Sequence, residues 1–302
     1  MSRTLIVLNP HAAGGRAGAL WKEIEPMLWD QLGELVIAVT QHPDEVAKHL
    51  DKAWEVGIRR VISIGGDGTN HILVNALAEL GTRIPAEDSM VYGTLPIGTG
   101  RDWARGMGIP LNDVRSAARW IAQAAPRPTD LGLLENGAQR EYFLNIASAG
   151  MSGEVANRVN RAKRRPWTFL TSTIATLLTY QPPVVQVRLD GEDWYEGRAF
   201  LVAVANGTTF GHGMKIAPDA EPRDGLFDVV LVEGINRLRV LAALKRVYDA
   251  THLTHPNVRS GRARQISVKS LGTPLGMELD GEPNSGSELT FTLQPAALNL
   301  LA

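Results

Sequence analysis

The stretch that decides the fold is RRVISIGGDGTNHILVN, residues 59–75. It predicts a buried strand over 61–64, a glycine-rich turn over 65–69 and a helix that begins near Thr69. Glycines let the backbone approach a bulky anion, and the unpaired N–H groups at a helix start attract negative charge. A phosphate would repel the Asp67 carboxylate unless a metal ion lay between them. The stretch therefore indicates a phosphate site with Mg²⁺; the alternative is an ordinary strand–turn–helix corner that Asp67 caps.

The composition is that of an ordinary globular protein. The 302 residues are enough for two domains or one large one, with 44% hydrophobic and 21% charged residues. A net charge of −1 argues against a nucleic-acid binder, and the absence of cysteine excludes disulfides and thiolate metal sites. The apolar run at 4–8 is too short for a signal peptide, and no run is long enough to span a membrane. We expect a cytoplasmic protein, with peripheral attachment at the inner membrane left open.

The first part of the chain alternates strands with helices. We predict strands over 4–8, 35–39, 61–64 and 91–97, and helices over 20–32, 42–54 and 69–80. Pro26 should kink or shorten the first helix. This alternation indicates a mostly parallel sheet, whose ligands bind at the carboxyl ends of the strands. The turns after the first, third and fourth strands should therefore meet at one edge.

The pattern changes at PRPTD, residues 126–130, which we interpret as a break. Beyond it we predict one helix, over 237–248, and a hairpin turn at Asp190-Gly191. The strands predicted there lie at 142–146, 184–189, 199–204, 226–232, 266–269, 275–279 and 289–293. These runs indicate a second, largely antiparallel β domain. We place the boundary between an α/β domain (1–128) and a β domain (129–302), and leave open whether the final strand returns to the first.

The stretch 161–180 combines a basic cluster with an apolar helix. The cluster consists of Arg161, Lys163, Arg164 and Arg165, and the helix that follows is too short to span a bilayer. It suits a membrane interface or a cleft for an acyl chain. The alternative is a core helix with a solvated basic entry.

Several further motifs suit phosphate or proton chemistry. The Asn9-Pro10 pair precedes a glycine turn, and LPIGTG at 95–100 precedes Asp102, which is either a ligand-site residue or a helix cap. IAP at 216–218, DGLFD at 224–228 and LDGEP at 279–283 follow in the β half. The last of these sets two carboxylates around a glycine, which suits a turn and also suits acid–base chemistry. Walker A, G-x-G-x-x-G, H-E-x-x-H and G-x-S-x-G patterns are absent from the sequence.

In this order, with GGDGT at 65–69, the motifs resemble the diacylglycerol kinase catalytic-domain family. Within it, the chain is similar to bacterial lipid kinases related to diacylglycerol and sphingosine kinases. The resemblance covers essentially the whole chain. It implies a Rossmann-like α/β nucleotide-binding domain similar to those of NAD kinases and phosphofructokinases. It also implies a C-terminal antiparallel β-sandwich and an active site in the cleft between the domains.

The resemblance also implies roles for individual residues. Asp67 would organise the catalytic Mg²⁺ through water, and Glu282 would accept the proton, with Asp280 as a second candidate. Asp224 would be the side-chain ligand of a second, structural Mg²⁺, with main-chain carbonyls of Glu221 and Leu226. The implied ATP contacts are Asn9, Pro10, His11, Ala12, Ala13, Thr40, Gly65, Gly66, Asp67, Gly68, Thr69, Asn70, His71 and Thr99.

The chain departs from the family pattern in two places. Asn70-His71-Ile72 stands where the family commonly has Leu-Asn-Glu, and Arg101 stands where it commonly has Asn. Arg101 can instead bring positive charge to the phosphates.

The resulting hypothesis is an ATP- and Mg²⁺-dependent kinase of diacylglycerol or a similar lipid alcohol presented at a membrane surface. The alternatives are a kinase of a soluble alcohol such as NAD and a non-catalytic nucleotide-binding regulator. No nucleic-acid partner is expected, and a homodimer is left open.

Overall fold

The structure, a computed structural model, describes residues 3–98, 100–161, 168–234 and 244–302. The chain divides into two units, Met1–Leu131 with Pro295–Ala302, and Gly132–Gln294. The named helices are α1 (Arg16–Leu32), α2 (Asp44–Glu55), α3 (Asp67–Gly81), α4 (Asp102–Gly106), α5 (Val114–Gln123), α6 (Met151–Arg161) and α7 (Thr168–Thr179). The strands are β1 (Thr4–Leu8), β2 (Leu35–Val39), β3 (Arg60–Gly65), β4 (Val91–Pro96), β5 (Pro126–Asn136), β6 (Gln139–Phe143), β7 (Ile146–Gly150), β8 (Val184–Leu189), β9 (Glu192–Ala205), β10 (Phe227–Glu233), β11 (Val258–Ala263), β12 (Gln265–Ser270), β13 (Leu275–Leu279), β14 (Glu282–Gly286) and β15 (Glu288–Leu301).

The first unit is built on a parallel sheet in the order β15-β4-β3-β1-β2. The strands β1, β3 and β4 are apolar and buried, as expected for a parallel sheet covered by helices on its faces. Leu28 of α1 packs in one core cluster with Ile62 and Leu95 of the sheet. Leu301, near the end of β15, belongs to the same cluster. The last residues of the described chain thus complete the sheet of the first unit.

Helix α1 differs from the expectation. It starts at Arg16, after Gly15 in a left-handed conformation, and it continues through Pro26 to Leu32. Proline removes one hydrogen bond from the helix. Ile24 and Leu28, on either side of the exposed Pro26, are both fully buried. Their packing keeps the helix together, so the prediction that Pro26 shortens it is wrong.

The second unit consists of two antiparallel sheets that share the long strand β9. The first half of β9 pairs with β8, which is followed by β12, β15, β5 and β6. Its second half lies between β7 and β10, with β13, β14 and β11 further out. Phe143 stacks on Phe227 at 5.6 Å and meets Phe291 edge-on at 6.2 Å, within one core cluster. The predicted fold class, an α/β domain followed by a β-sandwich, is confirmed.

Two strand predictions are corrected. The single strand predicted over 142–146 is two strands, since β6 ends at Phe143 and β7 begins at Ile146. The segment 126–130, which we interpreted as a break, is the beginning of β5. The predicted hairpin turn at Asp190-Gly191 is present between β8 and β9, with φ values of 50° and 88°.

Three expectations fall wholly or partly outside the described residues. They concern Thr99, the basic residues 163–165, and the part of the predicted helix at 237–243. Residues 244–248 of that helix are described and are helical. No helix in the described part of the chain is long and apolar enough to cross a membrane.

Candidate active site

The turn between β3 and α3 is closely packed around its glycines. A Cβ on Gly65 would lie 2.6 Å from the Thr69 side chain, so only glycine fits there. The Asn9 side-chain amide, just beyond β1, donates a hydrogen bond to Thr69 Oγ1 at 3.1 Å. Gly66 precedes the first helical residue, so the free N–H groups of α3 start at this turn. The turn therefore has the backbone arrangement that accommodates a phosphate.

The turn after β4 packs directly on this one. A Cβ on Gly98 would lie 2.6 Å from the Cα of Gly66, and one on Gly100 would lie 2.3 Å from Asp67 Oδ2. At the end of β2, the hydroxyl of the buried Thr40 lies 3.4 Å from the Leu8 carbonyl. The glycine turns after the first, third and fourth strands thus meet at one sheet edge, as expected from the sequence.

Two carboxylates flank Gly100. The position of a Cβ on this residue would be 2.3 Å from Asp67 Oδ2 and 3.7 Å from Asp102 Oδ2. Asp67 is the first residue of α3, one position after Gly66 at the N-cap, and both of its carboxylate oxygens face the backbone N–H of Arg101. Asp102 is the first residue of α4 and pairs with Arg105 at 2.5 Å.

Carboxylate oxygens are the ligands that Mg²⁺ prefers, but Asp102 would have to release Arg105 to hold the ion, so Asp67 is the better candidate of the two. Within the described residues, no group of three or more His, Asp or Glu side chains is arranged to hold a metal. The sequence left the role of Asp102 open between a ligand-site residue and a helix cap, and its ligand role stays a prediction.

The backbone of Arg101 supports Asp67, and its side chain contacts the segment after α4. Its backbone N–H lies 3.2 and 3.1 Å from the two oxygens of Asp67. Its guanidinium donates to the Leu111 carbonyl. Arg101 also adopts a left-handed φ of 55°, a conformation that asparagine adopts more readily than most residues. In this structure the Arg101 side chain thus joins the turn to the segment after α4.

Asn70 is directed at the sheet below α3. Its side-chain oxygen accepts hydrogen bonds from the hydroxyls of Ser63 (2.7 Å), Tyr92 (3.0 Å) and Thr94 (3.0 Å). All three donors are buried residues of β3 and β4. The side chain of Asn70 therefore fixes the start of α3 to two strands. Its contact with a nucleotide stays a prediction.

His71 is also buried in this helix. The side-chain amide of Asn75 lies 3.4 Å from His71 Nε2 and 3.0 Å from the His71 carbonyl. The imidazole therefore has a neighbour one helical turn further along α3. The implied contact between His71 and ATP stays a prediction.

The loop from Asn9 to the start of α1 is a compact turn. The Asn9 side-chain oxygen accepts the N–H of His11 at 3.1 Å, and Ala13 has a left-handed φ of 53°. The Pro10 carbonyl accepts the N–H of Gly18 at 3.2 Å. Because Asn9 also contacts Thr69, this loop lies beside the phosphate turn. The roles assigned to residues 9–13 in binding ATP remain predictions.

In the second unit, the carboxylate of Asp280 is fully used. Asp280 and Gly281 form the left-handed turn between β13 and β14, with φ values of 51° and 94°. The Asp280 carboxylate accepts three backbone N–H groups, from Leu144 (2.8 Å), Asn145 (2.9 Å) and Ile146 (3.0 Å). This clamp ends β6 and starts β7, which explains why the sequence pattern missed the division.

Glu282 is different from its neighbour. It begins β14 and is half-buried, and its side chain forms no hydrogen bond or ion pair with another described residue. The turn before it is held by Glu278, whose carboxylate accepts the Gly281 N–H at 2.6 Å and the Ser148 hydroxyl at 2.5 Å. Of the two acidic candidates, Glu282 has the carboxylate that is available for an incoming hydroxyl.

The residues expected to hold a second Mg²⁺ already form hydrogen bonds and ion pairs with other groups of the protein. Asp224 pairs with Arg262 and accepts the N–H of Leu226 at 3.0 Å. The Glu221 carboxylate pairs with Arg223 at 2.8 Å, and its carbonyl accepts the Arg223 N–H at 2.8 Å. As placed, these groups do not fit a divalent cation, because a guanidinium occupies the side-chain ligand. The metal assignment of this loop stays a prediction from the resemblance.

Comparisons with known proteins assign both parts of the chain. Residues 3–134 match the model of the diacylglycerol kinase catalytic domain. Residues 145–302 match the YegS C-terminal NAD kinase beta sandwich-like domain. The chain belongs to the diacylglycerol kinase catalytic-domain family. Two bacterial relatives carry the names diacylglycerol kinase and probable lipid kinase.

One relative is the probable lipid kinase YegS-like of Chromohalobacter salexigens. It is 30% identical over 272 residues, covering 89% of this chain and 84% of that protein. The diacylglycerol kinase of Bacillus subtilis is 28% identical over 225 residues, covering 74% of this chain and 70% of that protein. A crystal structure of a diacylglycerol kinase from Bacillus anthracis has a TM-score of 0.73 at 22% identity, over 99% of this chain and 96% of that one. At this identity the likeness supports the fold alone.

Proposed function

We propose that this kinase transfers the γ-phosphoryl group of ATP, with Mg²⁺, to a hydroxyl of diacylglycerol or a similar lipid alcohol. The observation that carries the proposal is the pair of carboxylates, Asp67 and Asp102, flanking Gly100 beside the glycine turn that starts α3. A turn of this kind suits a phosphate, and its carboxylates call for a cation. Relatives named diacylglycerol kinase and lipid kinase support a lipid acceptor.

The first unit would hold the nucleotide. The N–H groups at the start of α3 can donate to phosphate oxygens without reorganising, because Gly65 and Gly98 hold the two turns together. Asp67 would hold Mg²⁺ partly through water, with Asp102 beside it, and the ion would neutralise charge on the phosphates. The N–H of Arg101 keeps the Asp67 carboxylate in place for this role.

Glu282 would accept the proton of the lipid hydroxyl. As the hydroxyl oxygen forms its bond to the γ-phosphorus, the bond to the bridging oxygen of ADP breaks and the proton passes to the Glu282 carboxylate. The products are the lipid phosphate and ADP. Asp280 is the weaker candidate, because its carboxylate already accepts three backbone N–H groups.

Helix α7 is the candidate for lipid contact. Leu170 and Leu178 expose 42% and 50% of their surface, whereas Thr176 and Leu177 are buried. An amphipathic helix that leaves large apolar side chains exposed suits a membrane surface. We therefore propose that the lipid is met at the inner membrane by a cytoplasmic protein.

A transfer assay with labelled ATP tests the proposal. Diacylglycerol, sphingosine and monoacylglycerol in mixed micelles, and NAD in solution, are offered with Mg²⁺ or with EDTA. We expect Mg²⁺-dependent labelling of at least one lipid and none of NAD. Transfer to NAD alone would favour the soluble-alcohol alternative, which the NAD kinase-like description of the second domain makes worth testing. ATP binding with no transfer to any acceptor would indicate a regulator.

A further inference from the structure

The loop that leads into β10 carries a cluster of negative charge in the second unit. Asp224 lies in this loop and Asp228 on the strand itself. Asp219 is close enough to Asp228 for the two charges to interact. Three carboxylates in so small a region repel one another unless a positive charge lies among them. The resemblance to the kinase family implies that a structural Mg²⁺ bound at Asp224 balances this negative charge.

In this chain an arginine side chain, not a metal ion, places a positive charge among these carboxylates. Arg262 on β11 lies opposite Asp228 on β10 in the register of the antiparallel pair. Its guanidinium pairs with Asp224 and lies 3.6 Å from Asp228 Oδ2. Arg262 thus connects the loop to the strand. A guanidinium suits this task because its planar fork can contact two carboxylates at once.

The same contacts leave little for a divalent cation. One oxygen of Asp224 faces Arg262, and the other accepts the N–H of Leu226. The carbonyl of Glu221 accepts the N–H of Arg223 at 2.8 Å and that of Asp224 at 3.4 Å. Mg²⁺ demands near-ideal octahedral oxygen ligands and would have to displace the arginine first.

We propose that Arg262 takes the place of the structural cation in this chain and ties the 219–226 loop to β10, so that the second unit folds without a divalent metal. The inference is independent of the reaction proposed above, since it concerns the stability of the second unit. It distinguishes this chain from a family member in which the same loop is held by a metal.

Thermal unfolding of the full chain without nucleotide tests this, in EDTA and in MgCl₂. We expect MgCl₂ to change the Tm of the wild type and of Asp224→Asn by the same amount, because Mg²⁺ bound at Asp67 would stabilise both proteins alike. The Arg262→Ala variant should lose roughly 2–4 °C in EDTA, because Asp224 and Asp228 then face each other without a counter-charge. Mg²⁺ should restore part of that loss, since the vacated carboxylates become available to it.

Arg259→Ala is the matched control. Arg259 lies on the same strand, pairs with Glu233 on β10 at 2.7 Å and is similarly exposed, at 50% against 46%. Its loss should leave the difference in Tm between EDTA and Mg²⁺ as it is in the wild type. If Arg262→Ala fails to fold, Arg262→Lys keeps the charge and should show the same difference between the two buffers as the wild type.

Two results would overturn the proposal. One is a wild-type Tm that rises with Mg²⁺ and no longer does so in Asp224→Asn, which would place a metal on Asp224. The other is an Arg262→Ala variant as stable as the wild type in EDTA. Electron paramagnetic resonance of bound Mn²⁺ gives a second readout. Equal numbers of Mn²⁺ sites in the wild type and in Asp224→Asn would support the proposed role of Arg262. One site fewer in the variant would contradict it.

Discussion

At the residue scale, two acidic side chains two positions apart serve different purposes. The Asp280 carboxylate accepts three backbone N–H groups that connect β6 to β7. The side chain of Glu282 makes no hydrogen bond to another described residue. Both carboxylates look equivalent in the sequence DGE. Only the hydrogen bonds distinguish the carboxylate that connects β6 to β7 from the one for which we propose a role as proton acceptor.

Replacing Glu282 should therefore affect the reaction and not the fold. We expect Glu282→Gln to lower kcat by about 10²–10⁴-fold, because the amide cannot accept the proton. Its Tm and its affinity for ATP should match those of the wild type. Stopped assays with labelled ATP, isothermal titration with ATP and thermal unfolding measure the three quantities.

Asp280→Ala is the companion variant, and it should show the opposite pattern in stability. Three backbone N–H groups lose a charged acceptor, so we expect the free energy of unfolding to fall by about 2–4 kcal/mol. Urea denaturation measures this loss.

Full transfer activity in Glu282→Gln would show that the proton acceptor is another residue.

A second residue prediction concerns Gly100. A Cβ at this position would lie 2.3 Å from Asp67 Oδ2, so Gly100→Ala should displace that carboxylate. We expect about 10²-fold lower kcat/KM and weaker Mn²⁺ binding, since catalytic groups tolerate little displacement. Steady-state kinetics and Mn²⁺ titration measure the two effects. Gly81→Ala is the control, because a Cβ on Gly81 meets nothing within 4 Å. Wild-type kinetics in Gly100→Ala would show that the position of the Asp67 carboxylate does not matter for the reaction.

At the element scale, the side-chain amide of Asn70 ties the start of α3 to β3 and β4. Asn70→Ala would leave the buried hydroxyls of Ser63 and Thr94 without their shared acceptor. We expect the free energy of unfolding to fall by about 1–3 kcal/mol. Urea denaturation checks this, with Thr82→Ala as an exposed control beyond the end of the same helix. Equal stability of wild type and Asn70→Ala would show that α3 is held mainly by its apolar face.

Another element prediction concerns pH. Burial lowers the pKa of His252, whose Nε2 lies 2.8 Å from the Ile216 carbonyl. As pH falls below about 6.5, the unfolded chain binds a proton that the folded imidazole binds less readily. The free energy of unfolding should therefore decrease as pH falls from about 6.5.

Urea denaturation at a series of pH values measures this dependence. His252→Gln keeps an N–H donor for the Ile216 carbonyl but cannot titrate, so it should flatten the curve in this range. The same slope in both proteins would assign the pH dependence to other groups.

Much of the first unit could be predicted from the sequence, for physical reasons. Buried parallel strands are continuous apolar runs, and glycine turns at their carboxyl ends are visible as motifs. The gap between β6 and β7 could not be predicted, because the residue that makes it is Asp280, more than a hundred positions away. The engagement of Asp224 by Arg262 was hidden for the same reason: both are long-range contacts between charged residues on different elements.

At the scale of the whole molecule, the first unit depends on the final strand. Leu301 is buried in its core, and a Cβ on Gly93 of β4 would lie 2.9 Å from Leu301 Cδ1. We expect Leu301→Ala to lower the free energy of unfolding by roughly 2–5 kcal/mol. Hydrogen exchange in β3 and β4 should report the loss. The exposed Leu271 offers a control, and an equal effect of Leu271→Ala would contradict this account.

The position of β15 also has a consequence for biosynthesis. Asn299 and Leu300 pair with Val91 and Tyr92 in the parallel sheet. On the ribosome, β1 to β4 emerge before β15, which follows only after all of Gly132–Gln294. The edge of β4 therefore stays unpaired by β15 while the other unit is made. The glycine turns beside β3 and β4 thus receive the support of the final strand only after that unit has been synthesised.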